Sequence, residues 1–333
     1  MKRLNILITV YIALTLSVSA QSWMPDILGN GFEMRYVDQG QDYSGDVRCT
    51  IVRHQSPVPS KKGVLYIHGF NDYFFQKEMA EKFAAHAYNF YAVDLRKYGR
   101  SLMPGQKHFE IRNLKEYFPD VDSALVAMRH AGCDTIVLMG HSTGGLVASY
   151  YMALTPQAPV CALILNSPFL DWNLGKLECL VNAVSALGKI FPDIPISSGS
   201  GTAYSESLLR GEHGEWNYNT DWKQRLSPKV NTGWIRAINM AQHDLRKHKD
   251  AIHVPILLMY SAHSLNTDNW IPDANHADVV LDVSDIKKYG RMLGPDITFL
   301  KVPGGIHDLM LSSQNVRTPL YTYIFKWLLK NKV

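Results

Sequence analysis

Cysteine is scarce in this chain, with four in 333 residues: Cys49, Cys133, Cys161 and Cys179. So few thiols exclude a disulfide scaffold, and they lack the paired spacing of a zinc site. One disulfide is compatible with an exported chain, but the sequence does not choose among the pairings. Long runs of one charge sign are also missing. Lys and Arg total 34 against 30 Asp and Glu, and the basic clusters Lys61-Lys62 and Arg246-Lys247-His248-Lys249 are short. That balance leaves no electrostatic footprint for nucleic acid or an anionic surface, so neither is expected as a partner. Past the first twenty residues no stretch approaches the ~18 consecutive apolar residues of a membrane span, and there is no internal repeat.

What is present begins with a leader. Lys2 and Arg3, an apolar stretch from Ile6 to Val18 and the small residues ending Val18-Ser19-Ala20 have the layout of a secretory signal peptide. Cleavage is expected after Ala20, giving a secreted or periplasmic protein over residues 21–333 with no stable membrane span. An uncleaved amino-terminal anchor is the alternative. Gln21, where a lipid anchor would need cysteine, argues against that modification. Removal of Lys2 and Arg3 leaves 32 basic against 30 acidic residues.

The apolar runs set the architecture. Val64 to Ile67, Phe90 to Val93, Thr135 to Met139, Val160 to Leu165, Ile256 to Tyr260 and Ile297 to Val302 are short and rich in branched or aromatic residues. Helix-sized intervals separate them, which predicts an α/β fold: a mostly parallel central sheet with helices on both faces. Phe32 to Val37 and Val47 to Arg53, joined through Asp38 to Asp46, predict an antiparallel hairpin on one edge. A closing amphipathic helix is predicted from Pro319 to Lys330. The interval between Leu165 and Ile256, about ninety residues, is too long to be a bare loop. Leu180 to Ile190 is apolar at helical spacing, Pro192 to Thr202 is rich in Pro, Ser and Gly, and Trp216, Tyr218, Trp222 and Trp234 follow. An inserted helical cap over about residues 170–250 is expected, its aromatics serving first as packing mass.

Chemistry enters at Gly140-His141-Ser142-Thr143-Gly144, which directly follows the strand pattern Ile136 to Met139 and precedes the small and apolar helix pattern Gly145 to Tyr150. A serine at a sharp strand-to-helix corner is a nucleophile elbow. Gly140 and Gly144 must lack a Cβ there so that strand and helix can approach. The first N–H groups of the new helix would face an oxyanion above Ser142, favoured by the helix dipole. Such a serine needs a base, and His307, in the loop Pro303 to Asp308 after the last predicted strand, emerges at the same carboxyl edge of the sheet. His68 is read as a loop brace and His141 as pointing away from the nucleophile. The backbone N–H groups of Phe70 and Thr143 are the candidate oxyanion-hole donors.

Tyr66-Ile67-His68-Gly69-Phe70, Tyr91-Ala92-Val93-Asp94-Leu95-Arg96 with Tyr98-Gly99-Arg100-Ser101, Gly140 to Gly145, and Gly305-Ile306-His307-Asp308 stand in the order seen in α/β-hydrolases. Within that superfamily the chain resembles the monoacylglycerol lipase, lysophospholipase and serine-aminopeptidase-like branch, over nearly all of residues 21–333 except the cap. The resemblance implies the α/β-hydrolase fold, a structural role for the Asp94 loop, and the chain order serine, acid, histidine. The family's acid follows the next-to-last strand in a tight turn, whereas Tyr260-Ser261-Ala262-His263-Ser264 has no carboxylate before Asp268. Ala277 to Ile286 resembles the family's acid loop displaced by an insertion, which makes Asp278 the acid and Asp268 the runner-up. Asp273 and Asp282 are read as solvated or capping carboxylates.

The expected activity is therefore that of an exported serine hydrolase cleaving carboxylic esters, small-molecule or lipid, through a Ser142–His307–Asp278 triad and an acyl-enzyme. Such chemistry requires no metal or organic cofactor. A serine aminopeptidase-like peptidase is the nearest alternative. It is lowered because Gly69-Phe70-Asn71-Asp72 stands where iminopeptidase-like members carry Gly-Gly-Pro-Gly. Acyl transfer to an alcohol is chemically adjacent, and a non-catalytic binding module on the same fold is the alternative from another class.

Overall fold

The computed structural model describes residues 22–172, 174, 178–197 and 201–333; the leader expected over residues 1–20 lies outside them. The chain enters through β1 (Met24–Pro25) and the hairpin β2 (Phe32–Asp42) and β3 (Gly45–His54). β4 (Lys62–Ile67), β5 (Asn89–Asp94), β6 (Thr135–His141) and β7 (Ala162–Asn166) follow. After a small antiparallel ribbon, β8 (Pro195–Ile196) with β9 (Val230–Asn231), come β10 (Ile256–Ser261) and β11 (Ile297–Val302). The nine-stranded main sheet runs β1-β2-β3-β5-β4-β6-β7-β10-β11, parallel from β5 onward and antiparallel at the β1-β2-β3 edge.

Side chains alternate across this sheet with the two-residue period of a pleat. Leu65, Ile67, Tyr91 and Val93 enter one buried cluster; Val64, Tyr66, Phe90 and Ala92 enter the other. α2 (Phe118–His130), α3 (Thr143–Leu154), α6 (Thr232–Lys247) and α7 (Val283–Gly290) cover the first face. α1 (Lys77–Ala85) and α8 (Gln314–Lys330) cover the second. Ile324 and Leu328 of α8 are fully buried, and each such side chain contributes roughly 1.5–3 kcal/mol. Both layers are thus required, because each strand presents apolar residues to both sides. Between β7 and β10 lie α4 (Glu178–Leu187) and α5 (Ala203–Leu208), with α4 packed on α6.

Two boundaries differ from the sequence reading. The hairpin strands run on to Asp42 and restart at Gly45, with a register shift between Asp38 and Gln41. Gly40 and Gly45, both at positive φ, and the Asp42 side chain accepting from the Ser44 N–H absorb the turn inside the strands. α8 begins at Gln314, so Pro319 lies inside it and does not open it. An interior proline loses its N–H bond and crowds the carbonyl of the preceding turn, and packing of Leu320, Tyr321, Ile324 and Trp327 against the sheet holds the helix through that point. Among the described residues no disulfide joins any of the four cysteines, and no helix is long and apolar enough to cross a membrane.

The path of the chain places the site. From β4 it crosses to β5 on one side, then returns past β4 to β6 on the other. The loops leaving the carboxyl ends of β4 and β6 therefore diverge and open a crevice, the switch point where open α/β sheets take their ligands.

Candidate active site

Ser142 occupies that crevice, between β6 and α3, at φ +51° and ψ −118°. A non-glycine residue in this region is strained by about 1–3 kcal/mol and persists only where its surroundings hold it. They do so here: the Ser142 N–H donates to the Asn166 carbonyl (3.0 Å), and its own carbonyl accepts from Leu146 and Phe169. The glycines around it have the role their positions demanded. A Cβ on Gly140 would collide with the Gly144 carbonyl, and one on Gly144 with the carbonyls of Ile67 and His68. Gly145, which the sequence reading did not single out, abuts Pro168, whose Cβ would lie 2.8 Å from a new methyl group.

His307 comes from the loop after β11, 165 residues further along the chain. Its Nε2 lies 3.0 Å from the Ser142 Oγ, and its Nδ1 lies 2.9 Å from the Asp278 Oδ2. A carboxylate at Nδ1 fixes the proton on that nitrogen, which leaves Nε2 to accept from the serine hydroxyl. All three residues are buried. The second oxygen of Asp278 accepts from the N–H groups of Val280 (2.9 Å) and Leu281 (2.8 Å), so its carboxylate is held from both ends. Asp268 and Asp273 are exposed, and Asp282 caps α7 by accepting from the Ser284 N–H.

The loop after β4 faces Ser142 from the other side of the crevice. A Cβ on Gly69 would lie 3.1 Å from the Ser142 Cβ, so the next peptide passes beside Ser142. Among the described residues neither the Phe70 N–H nor the Thr143 N–H has a hydrogen-bond partner. Thr143 is the first residue of α3, where the helix dipole favours negative charge. His68 braces this loop: the Leu95 N–H donates to its Nε2 (3.1 Å), so its Nδ1 carries the proton and donates to the Gly69 carbonyl (2.8 Å). Asp94 is structural, accepting from the Phe74 and Arg100 backbone N–H groups and from the Arg100 guanidinium.

His141 does not swing clear of the site. Its ring packs 4.8 Å from that of His307 while its Nδ1 donates to the Asn166 carbonyl (3.1 Å). Burial pushes its pKa down, with Asp308 opposing in part, so it stays neutral. The strand end at Asn166 supplies both the acceptor for His141 and the anchor for Ser142, and so draws the histidine back.

Several neighbours were not found from the sequence. Asp308 accepts from the Asn166 side chain (2.7 Å), the Gln76 side chain (3.3 Å) and the Met310 N–H (3.0 Å), tying the His307 loop to β7. Tyr204 of α5 stands edge-on to the His307 ring at 5.4 Å, its hydroxyl buried and without a partner among the described residues. Lys223 reaches the buried Asp72 at 3.1 Å. These residues lie in loops and in the long β7–β10 interval, where no periodic pattern marks them. Asp308, beside His307 in sequence, offered the one usable signal.

Asp72, His141 and Asp308 bring their ligand atoms within 4.8 Å of one another, a grouping that could hold a cation. The Lys223 ammonium already supplies positive charge at Asp72, and Asp308 is occupied by three donors. The grouping is therefore a hydrogen-bonded and ion-paired wall of the crevice.

A family model described as "Serine aminopeptidase, S33" matches residues 58–314. The chain belongs to this family. It is a serine hydrolase of the α/β-hydrolase fold, in the branch that contains monoacylglycerol lipases. A monoacylglycerol lipase of Mycolicibacterium smegmatis is 31% identical over 258 residues, covering 76% of this chain and 84% of that protein. Among solved structures, a soluble variant of the Saccharomyces cerevisiae monoglyceride lipase in complex with a substrate analogue aligns with a TM-score of 0.68 at 16% identity, covering 94% of this chain and 96% of that one. The Paleococcus ferrophilus monoacylglycerol lipase aligns with a TM-score of 0.63 at 18% identity, covering 84% and 99%. At such identities the structural likeness speaks to the fold alone.

Proposed function

We propose that this family member hydrolyses carboxylic esters with Ser142 as nucleophile, His307 as base and Asp278 as orienting acid. The observation that carries the reading is the hydrogen-bonded sequence from Asp278 through His307 to Ser142 Oγ, flanked by two backbone N–H groups that have no partner among the described residues. As Ser142 Oγ attacks the carbonyl carbon, His307 Nε2 takes its proton and Asp278 stabilises the imidazolium. The N–H groups of Phe70 and Thr143 hold the oxyanion. Collapse expels the alcohol, which receives the proton from His307, and leaves an acyl-Ser142. Water, deprotonated by the same imidazole, then releases the acid and restores the serine.

The substrate we favour is a lipid ester whose alcohol part carries free hydroxyls, as in a monoacylglycerol. The monoacylglycerol lipase relative supports this. So do the buried Oδ2 of Asp72 and hydroxyl of Tyr204, which lack partners among the described residues and would gain them from a polyol. The segment over about residues 170–250 acts in this reading as the cap over the crevice. The leader pattern of residues 1–20 supports export of the mature chain. Against the peptidase alternative, Gly69-Phe70-Asn71-Asp72 stands where iminopeptidase-like members carry Gly-Gly-Pro-Gly.

The deciding experiment compares p-nitrophenyl esters of increasing acyl length and a monoacylglycerol with an aminoacyl anilide. Ester turnover with little anilide cleavage is expected; cleavage of the anilide alone would reverse the assignment.

A further inference from the structure

Residues 71–73 of the oxyanion loop are tied to the β7–β10 segment. Asn71, at φ +48°, makes a reciprocal pair with the Gln224 backbone: its Nδ2 donates to the Gln224 carbonyl (2.8 Å), and the Gln224 N–H donates to its Oδ1 (2.9 Å). The next residue, Asp72, holds the Lys223 ammonium at 3.1 Å with both side chains buried. The one after, Tyr73, accepts through its hydroxyl from the Asn219 N–H (2.7 Å). Three consecutive loop residues thus meet one short stretch, 219–224, immediately after the peptide that carries the Phe70 N–H.

Two features exclude a merely decorative contact. An asparagine at positive φ has a backbone other residues adopt only at a cost, and here its side chain is spent on the β7–β10 segment rather than on its own turn. The Phe70 ring also meets the β7–β10 segment, packing 4.8 Å from Trp234 on α6, while Phe109, between β5 and α2, flanks it at 4.7 Å. From the sheet side, His68 fixes the Gly69 carbonyl and Asp94 accepts from the Phe74 N–H, and neither holds the Phe70 N–H.

We propose that Asn71 and Lys223 are positioning residues: through Gln224 and Asp72 they clamp the β4 loop to segment 219–224 and so aim the Phe70 N–H at the oxyanion. The proposal rests on the ester-hydrolase reading of Ser142. It makes the oxyanion hole a joint product of the core and the β7–β10 segment, so that displacing that segment withdraws a donor while Ser142, His307 and Asp278 stay in place.

The test uses the full mature chain with Asn71→Ala, Lys223→Met and Lys223→Arg, assayed on a p-nitrophenyl ester. Displacing a donor by about 1 Å costs on the order of 100-fold, so kcat should fall roughly 30- to 100-fold in the first two variants with KM within about two-fold. Lys223→Arg, which preserves the ion pair, should recover most of the loss. Affinity for an alkyl boronic acid, which places a tetrahedral oxyanion in the hole, should fall in step with kcat/KM, whereas affinity for an uncleavable ether analogue of the substrate should hold. Unchanged kcat in both variants, boronate affinity that holds while kcat falls, or loss of the fold in both would overturn the clamp. A wild-type protein that a fluorophosphonate does not label would instead sink the reading of Ser142; a labelled wild type with unaffected variants sinks the clamp alone.

Discussion

Asp278 meets His307 at 2.9 Å from the far end of an excursion that leaves β10 and returns to its starting point. The Asp278 N–H donates to the His263 carbonyl (3.1 Å), and the Leu265 N–H donates back to the Asp278 carbonyl (2.8 Å). Residues 266–277 are thereby looped out, and the carboxylate sits where a tight turn after β10 would have delivered it. Asp278→Asn should leave the fold intact and lower kcat by about 10³- to 10⁴-fold, since an amide at Nδ1 favours the wrong tautomer of the base. Asp268→Asn, at an exposed position, should change kcat by less than about three-fold. Steady-state kinetics on one ester separates the two, and a larger loss at Asp268 would reassign the acid.

The elbow should tolerate no added methyl group. Gly144→Ala drives a Cβ into the carbonyls of Ile67 and His68, which belong to β4 and its exit and cannot yield without moving the oxyanion loop. Overpacking of this kind costs typically about 1–3 kcal/mol. Denaturant unfolding should show at least that loss, together with loss of esterase activity. Stability equal to wild type would mean that strand and helix are less closely apposed than described.

His141 gives the stability a pH dependence with a definite sign. Burial lowers its pKa in the folded state, while the unfolded chain takes up a proton near pH 6.5. The unfolded state therefore binds more protons below about that pH, so the His141 contribution is complete above it and is lost as pH falls through the lowered folded value. His141→Asn, which keeps a donor for the Asn166 carbonyl, should flatten the fall in melting temperature between about pH 7.5 and 5.5. An unchanged slope would place the acid sensitivity elsewhere.

The parts legible in the sequence were those fixed by period and sterics. Short apolar runs marked β4 to β7, β10 and β11 almost to the residue: the first five are central strands buried on both faces, and the partly buried edge strand β11 was marked by its branched and aromatic residues. The Gly-His-Ser-Thr-Gly turn was legible because the close approach of Gly140 and Gly144 to backbone excludes other residues there. The start of α8 was not, because Pro319 is a favoured first residue of a helix and only tertiary packing reveals the turn ahead of it. Asn71, Lys223 and Tyr204 were illegible for a different reason: their partners lie far off in the chain, and the contacts form only after the β7–β10 segment has folded back over β4.

Tyr204 should be a residue whose removal stabilises the free protein and impairs it as an enzyme. Its hydroxyl is buried and unpartnered among the described residues, and such a group costs about 1–3 kcal/mol. Tyr204→Phe should raise stability by about 1 kcal/mol while lowering kcat/KM for a monoacylglycerol more than for a methyl ester of the same acid. Equal effects on both esters would remove Tyr204 from recognition of the alcohol.

The reactivity of one hydroxyl is the centre of the account, and covalent labelling measures it directly. Treatment with a fluorophosphonate followed by intact and peptide mass spectrometry should find a single phosphonyl adduct on Ser142, absent in Ser142→Ala and greatly slowed in His307→Ala. An adduct on another residue, or labelling that survives in Ser142→Ala at the wild-type rate, would contradict it.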